Sequence, residues 1–317
     1  MHLQHLTSVD GEIVWDVDPD VVAGARGRVY LREGLTVDDG ARLARAATDR
    51  AALFEERVVG AAATIRPRLI DTVEETLARF RDEVGELEAA DRFHPADEPA
   101  DPAPGVVAAI DAWFDGLAGR RVALVGLDDL GLSVADSVVD RGGRVVGVSN
   151  RSGAVATSAG LDPRELRSAR SAHGDLFITD LGLELHLPDE LLGLAVDAIL
   201  IGGGVGVVDR ELAGVIGADV VVPTSDAAYT AGGLDELRRR RVVPLPDLAT
   251  TAGPMLEASA PGGLTPAERT TRAERLIADR IGGARLSKVD PVRYVETLAD
   301  TFATTWVPDG ARSVAQA

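Results

Sequence analysis

Gly126 and Gly131 follow the apolar run Val122-Ala-Leu-Val125, spaced as the outer glycines of a turn whose backbone amides cradle a pyrophosphate at a helix N-terminus. The middle glycine of that G-x-G-x-x-G pattern is replaced by Asp128, and Leu130 precedes the last glycine. A carboxylate is bulkier than glycine and repels phosphate. Asp128 therefore has two open roles: a cap on the helix that follows, turned away and leaving room for pyrophosphate, or a charge turned into the crevice that closes it. The next apolar run, Val145 to Val148, ends in Asn150, where a dinucleotide site places Asp or Glu on the ribose 2′-hydroxyl. Asn150-Arg151-Ser152 offers something different: a guanidinium able to take a 2′-phosphate bidentately. The plain alternative for Arg151 is an exposed loop arginine.

Two further strand-end segments carry polar chemistry. Gly202-Gly203-Gly204-Val205-Gly206 lies between an apolar run and Asp209, and is either an anion-binding nest or a tight turn. Pro223-Thr-Ser-Asp226, with Tyr229 close behind, either holds a small polar ligand or caps a helix. Asp97 and Asp226 are the carboxylates considered for acid–base work. None of the five histidines stands at metal-ligand spacing, so no metal is expected. Lys288 is the single lysine, against 32 arginines, so any mechanism needing an amine of lowered pKa has only that residue. The run Arg238 to Arg241 reads as a solvated helix end, where cations are favoured by the dipole.

Composition narrows the classes. The formal charge of −18 argues against nucleic acid and anionic membrane surfaces, which need clustered cations. The absence of cysteine excludes disulfides, thiolate metal sites and cysteine nucleophiles. No stretch reaches the roughly 18 apolar residues of a membrane helix, and the start lacks a signal-peptide pattern, so a cytoplasmic protein is expected.

Positioning these residues requires a particular order of elements. Short β-prone runs at Glu12–Trp15 and Arg28–Leu31 are followed by a helix from Thr36, its N-cap, to Ala52. A second helix is expected over Pro67–Leu87 from the spacing of Leu69, Ile70, Val73, Leu77, Phe80 and Val84. Four prolines between Pro95 and Pro104 read as a linker, neither helix nor central strand. After a helix at 105–117, strands at 121–125, 144–149, 176–178, 197–201, 219–222 and 242–245 alternate with helices at 131–141, 163–170, 209–216 and 233–240. Helices at 265–281 and 290–303 end the chain. Alternation of this kind predicts an α/β protein with a doubly wound, Rossmann-type parallel sheet and a smaller N-terminal α+β domain. The expected boundaries are 1–90 for a reduced substrate or dimerisation domain, 91–104 for the linker, 105–260 for the dinucleotide-binding-like domain and 261–317 for helices packing back across the cleft.

In this order the chain resembles the glutamate/leucine/phenylalanine/valine dehydrogenase family, from about residue 24 onward. Val122-Ala-Leu-Val-Gly126 through Val148-Ser-Asn-Arg-Ser-Gly153 and Gly160-Leu-Asp162 is similar to the family's V-A-V-Q-G-F-G-N-V-G turn, V-S-D-x-x-G strand end and G-L-D run. Asp197-Ala-Ile-Leu-Ile201 through Val242-Val-Pro-Leu-Pro-Asp247 and Thr251-Ala-Gly253 is similar to D-I-L-I-P and V-I-P-D-x-x-x-N-A-G-G. Gly60-Ala-Ala-Ala-Thr-Ile65 stands where G-A-K-G-G-I would.

The resemblance implies an NAD- or NADP-dependent amino-acid dehydrogenase scaffold, assembled at least as a homodimer through the N-terminal domain. It also implies specific losses. Ala62 takes the place of the lysine that polarises the substrate carbonyl, and Arg50 that of an upstream lysine. Asp97 and Asp101 lie near the proton-relay P-x-P-D run, and Thr251 replaces the asparagine near the nicotinamide. Gly202–Gly206 replaces P-A-A-x-x-N, and Pro223–Asp226 replaces E-G-A-N. Alanine neither moves a proton nor stabilises developing charge. The leading expectation is thus a degenerate homologue without standard oxidative deamination, acting as a ligand-binding or regulatory pseudoenzyme; Asp128 and Asn150 count against the cofactor. The alternative is an active NAD(P)-dependent oxidoreductase on an amino acid, imine or 2-oxo acid, with Arg151 on the cofactor, the 202–206 loop beside it and Asp97 or Asp226 as acid–base group.

Overall fold

The computed structural model describes residues 2–68, 72–96, 101–308 and 311. The chain divides into two compact units, residues 1–99 with 296–317, and residues 100–295.

The first unit is built on a mixed sheet of five strands in the order β1-β2-β4-β3-β5. β1 (His2–His5) and β2 (Gly11–Trp15) form an antiparallel pair, followed by β3 (Arg26–Leu31) and helix α1 (Val37–Leu53). Thr36 caps α1 as its sequence position suggests. Its hydroxyl accepts the Asp39 N–H at 3.1 Å, and the Asp39 carboxylate accepts the Thr36 N–H at 2.9 Å.

β4 (Gly60–Ile65) is the central strand and is buried along its whole length. Its residues Gly-Ala-Ala-Ala-Thr-Ile carry little side chain, which lets α1 lie directly on the sheet. A Cβ at Gly60 would stand 2.2 Å from the Ala44 carbonyl oxygen, and the Gly60 N–H instead donates to Thr48 Oγ1 at 2.8 Å.

Helix α2 spans Val73–Ala89, starting later than the expected Pro67 because Thr72 and Glu75 form its capping box. Leu69 and Ile70 fall outside the described residues. The proline segment is not wholly a linker. β5 (His94–Pro95) pairs in parallel with Arg26 and Gly27 as an edge strand, where proline's missing N–H costs nothing. At its other end, α3 (Ala103–Phe114) has Pro104 in its first turn, a place where the helix needs no donor.

The second unit has six strands in the order β11-β10-β9-β6-β7-β8. After α3 come β6 (Arg121–Val125), α4 (Asp129–Asp140), β7 (Arg144–Asn150) and β8 (Gly153–Ala156). β8 goes beyond the strands that the sequence pattern predicts. It folds back antiparallel on β7 through the two-residue turn Arg151-Ser152, while all other neighbours in this sheet are parallel.

Helix α5 (Pro163–His173) follows, and then a 3₁₀ segment at Gly174–Asp180 where a strand was expected over 176–178. Phe177 and Ile178 are adjacent and both buried, whereas Leu176 is 62% exposed. A strand would send those two neighbours to opposite faces; the tighter helical turn keeps both inward. A second 3₁₀ turn, Pro188–Gly193, leads to β9 (Ala198–Ile201), α6 (Arg210–Val215), β10 (Val220–Pro223), α7 (Ala231–Arg240) and β11 (Val243–Pro244). β9 and β10 are buried residue by residue, hence their continuous apolar runs instead of alternation.

Short helices α8 (Asp247–Thr250) and α9 (Gly253–Ala258) precede α10 (Pro266–Ser287), which packs on α3 within this unit. Lys288 ends α10 in the left-handed conformation, at φ 58°. α11 (Pro291–Ala303) gives its first residues to the second unit and the rest to the first. The architecture is α/β with parallel-rich mixed sheets. Among the described residues no helix is long and apolar enough to cross a membrane.

Candidate functional site

The chain runs β6, β7, β8 toward one edge of the second sheet, then returns so that β9 lies on the other side of β6. In open α/β sheets, the strand ends at such a reversal form the ligand crevice. Gly126, just past β6, and Gly202, just past β9, flank this point.

Gly126 adopts φ 82°, a left-handed turn that glycine takes without strain. Its N–H and that of Leu127 both donate to the Ser149 carbonyl, at 3.0 and 2.7 Å. The Leu127 side chain is buried under the turn, against Gly131. Asp128 is the N-cap of α4, and its Oδ1 accepts the Gly131 N–H at 2.9 Å. The capping pose is therefore the one adopted. Asp129 extends outward, with its Oδ1 2.5 Å from Arg170 Nη1 of α5, and Leu130 is half-buried beside it.

Asn150 is committed on both sides. Its Nδ2 donates to the Asp175 carbonyl at 2.7 Å, and its Oδ1 accepts the Ser152 N–H at 2.8 Å, closing the β7–β8 turn. Arg151 projects from that turn, exposed and without an ion pair among the described residues.

At the ends of β9, β10 and β11 the polar groups form one connected layer. A Cβ at Gly202 would stand 2.9 Å from Thr224 Oγ1. Gly203 lies at φ 139°, and the Gly204 N–H is 3.3 Å from Ser225 Oγ. The Gly206 N–H donates to the Ala227 carbonyl at 2.8 Å, so this loop is laced to the Pro223–Asp226 segment. Asp226 does not cap α7; Thr230 does. Instead Asp226, 4% exposed, and Thr251, 2% exposed, meet at 2.7 Å between Oδ1 and Oγ1. Asp247 accepts the Ala228 and Leu248 N–H groups, each at 3.0 Å, and the Thr250 hydroxyl donates to the Pro223 carbonyl at 2.8 Å. Tyr229 donates to the Leu245 carbonyl at 2.8 Å, and burial pushes its phenol well above the usual tyrosine range.

The structure thus brings Asp226 and Thr251 together, and Gly202 beside Thr224. Asp97 lies outside the described residues, and Asp101 accepts the Ala103 N–H at the start of α3. No group of three or more potential metal ligands forms among the described residues.

In the first unit, Ala62 is fully buried in β4, paired with Val14 on one side and Arg28 on the other. Arg50 is buried in α1. Thr64 carries the one hydroxyl of β4 and donates to Glu12 Oε1 at 2.9 Å. Arg66 clamps the same carboxylate through Nη1 at 2.9 Å and Nη2 at 2.8 Å. That cluster had no signal in the sequence, because its partners lie more than fifty positions apart along the chain.

Residues 103–259 match the family described as Glutamate/Leucine/Phenylalanine/Valine dehydrogenase. The NADP-specific glutamate dehydrogenase A1 of Halobacterium salinarum is 31% identical over 137 residues, 43% of this chain and 33% of that protein. A glutamate dehydrogenase of Aeropyrum pernix is 27% identical over 145 residues, 46% of this chain and 34% of its own length. The matched region thus spans about a third of these curated relatives. Among solved structures, the hetero-hexameric glutamate dehydrogenase from Thermus thermophilus in its Leu-bound form is 21% identical, with a TM-score of 0.75. It covers 96% of this chain, which in turn covers 88% of it. The L-tryptophan dehydrogenase from Nostoc punctiforme is 16% identical, with a TM-score of 0.63 and 96% coverage of both chains. At these identities the structural likeness is one of fold.

Proposed function

We propose, for a chain whose family match supports membership among the amino-acid dehydrogenases, that oxidative deamination is lost and the protein acts as a ligand-binding or regulatory subunit. The observation that carries this reading is β4. Ala62 occupies the place that the resemblance gives to the carbonyl-polarising lysine, buried in a strand whose remaining residues are Gly, Ala, Ala, Thr and Ile. Thr64, the polar one, is engaged with Glu12. A methyl group cannot stabilise the charge that develops on a carbonyl oxygen, so the change is one of kind. The only lysine, Lys288, belongs to the other unit, at the end of α10.

A regulatory role is in keeping with the Thermus thermophilus relative, a hetero-hexamer with Leu bound. The chain assembles at least as a homodimer and takes a small-molecule ligand in this reading; we place it in the cytoplasm. The competing reading, an active oxidoreductase with a remodelled site, needs an acid–base group in reach of substrate. Asp226 suits that poorly, being buried and held by Thr251.

The test is a turnover assay on the purified full chain. A panel of amino acids with oxidised nicotinamide cofactor, and of 2-oxo acids with ammonium and reduced cofactor, is followed by nicotinamide absorbance. No turnover is expected, together with a rise in melting temperature for at least one amino acid. Turnover of any substrate would sink the reading.

A further inference from the structure

The β6–α4 turn has the backbone of a dinucleotide site, but its side chains do not fit the cofactor. We infer that the Asp128 carboxylate is a built-in substitute for the pyrophosphate and keeps dinucleotides out of the second unit. In a turn of this kind the phosphate sits over the helix N-terminus and accepts N–H groups of the first turn. Here the Gly131 N–H, third in α4, is already taken by Asp128 Oδ1 at 2.9 Å. Capping thereby fixes the carboxylate and its charge at the helix end toward which a phosphate would come.

Three neighbouring facts point the same way. The N–H groups of Gly126 and Leu127 turn inward to the Ser149 carbonyl. Asp128 forms no ion pair among the described residues, so no side-chain cation offsets its charge; the adjacent Asp129 has Arg170 as its counter-ion. Asn150, at the ribose position, has both ends of its amide bound to backbone groups and carries no charge to grip a diol. The inference is independent of Ala62. One concerns a cofactor position in the second unit, the other a catalytic position in the first.

The experiment is calorimetric titration of NAD, NADH, NADP and NADPH into the full chain, into Asp128→Asn and into Asp128→Gly. Asn preserves the cap while removing the charge, and Gly also removes the bulk. Both are tolerated N-cap residues, so both variants are expected to fold; circular dichroism melts check this. The unmodified chain is expected to show no saturation at millimolar nucleotide. Removing one like charge within about 5 Å of a phosphate gains between about tenfold and a hundredfold, depending on solvent screening. Asp128→Asn should show that gain, and Asp128→Gly at least as much.

Micromolar binding by the unmodified chain would overturn the inference, as would folded variants no tighter than the unmodified chain. The two proposals fail separately. Nucleotide binding without turnover removes this one and leaves the loss of deamination standing, whereas turnover removes both.

Discussion

Replacing Glu12 by alanine tests whether the first unit depends on the charged cluster at one end of its sheet. Glu12 is 1% exposed, and its carboxylate accepts three side-chain hydrogen bonds: two from Arg66, at 2.8 and 2.9 Å, and one from Thr64, at 2.9 Å. The bidentate Arg–carboxylate geometry is the strong form of this contact. Breaking a buried pair by removing one partner costs about 3–5 kcal/mol. Arg66 lies toward the low end of that range. It keeps Asp10, with Nη2 to Oδ1 at 2.9 Å, and the Leu35 carbonyl at 3.1 Å, and its side chain is about a third open to water. About 3 kcal/mol is therefore expected for Glu12→Ala, and about 2 kcal/mol for Glu12→Gln, which keeps one acceptor.

The pair also has a pH signature. The hydrogen bonds from Arg66 hold Glu12 below the ordinary glutamate range, against burial, which pushes it up. A depressed folded pKa means this stabilisation is complete above the unfolded glutamate pKa of about 4.3. It is lost as pH falls through the lower, folded value. The assay is equilibrium urea unfolding followed by Trp15 fluorescence, with Trp113 and Trp306 replaced by Phe; Trp15 lies in β2 and donates to the Arg92 carbonyl. A loss under about 1 kcal/mol for Glu12→Ala would show that Arg66 simply rehydrates and would refute the argument. A double-mutant cycle with Arg66→Ala that gives no coupling would do the same.

Thr251→Val keeps the shape of the side chain but deletes the hydroxyl that meets Asp226 at 2.7 Å in a buried setting. It should cost about 1–3 kcal/mol, and a melting temperature equal to that of the unmodified chain would show that the pair does not matter. Asp197 ties the starts of β6 and β9 together by accepting from the Arg121 N–H at 2.8 Å and Arg120 Nη1 at 3.0 Å. Burial pushes its carboxyl up, but these donors more than offset that and hold it below the ordinary aspartate range. Asp197→Ala is therefore expected to lose about 2 kcal/mol at neutral pH and progressively less as pH falls through the folded pKa, measured by urea unfolding across pH. A deficit independent of pH would disprove the assignment.

The parts of this protein written locally in its sequence are those with short-range causes. Thr36 and Asp39 cap α1, and Asp128 caps α4, because an oxygen-bearing side chain next to a helical run satisfies amides three positions away. The alternation of strand and helix from 121 onward foretold the second sheet, since a parallel pair needs a crossover. β8 was not legible, because Gly153–Ala156 is short and its pairing depends on a turn closed by Asn150. The strand expected at 176–178 failed for the complementary reason: apolar content does not say which faces the neighbouring elements leave available. The chemical character of the site divides in the same way. That Ala62 cannot act as a lysine, and that Asp128 is charged, follows from residue type. The meeting of Asp226 with Thr251 and the engagement of Asn150 with the Asp175 carbonyl required the folded chain, because each is a distance between groups that only tertiary packing sets.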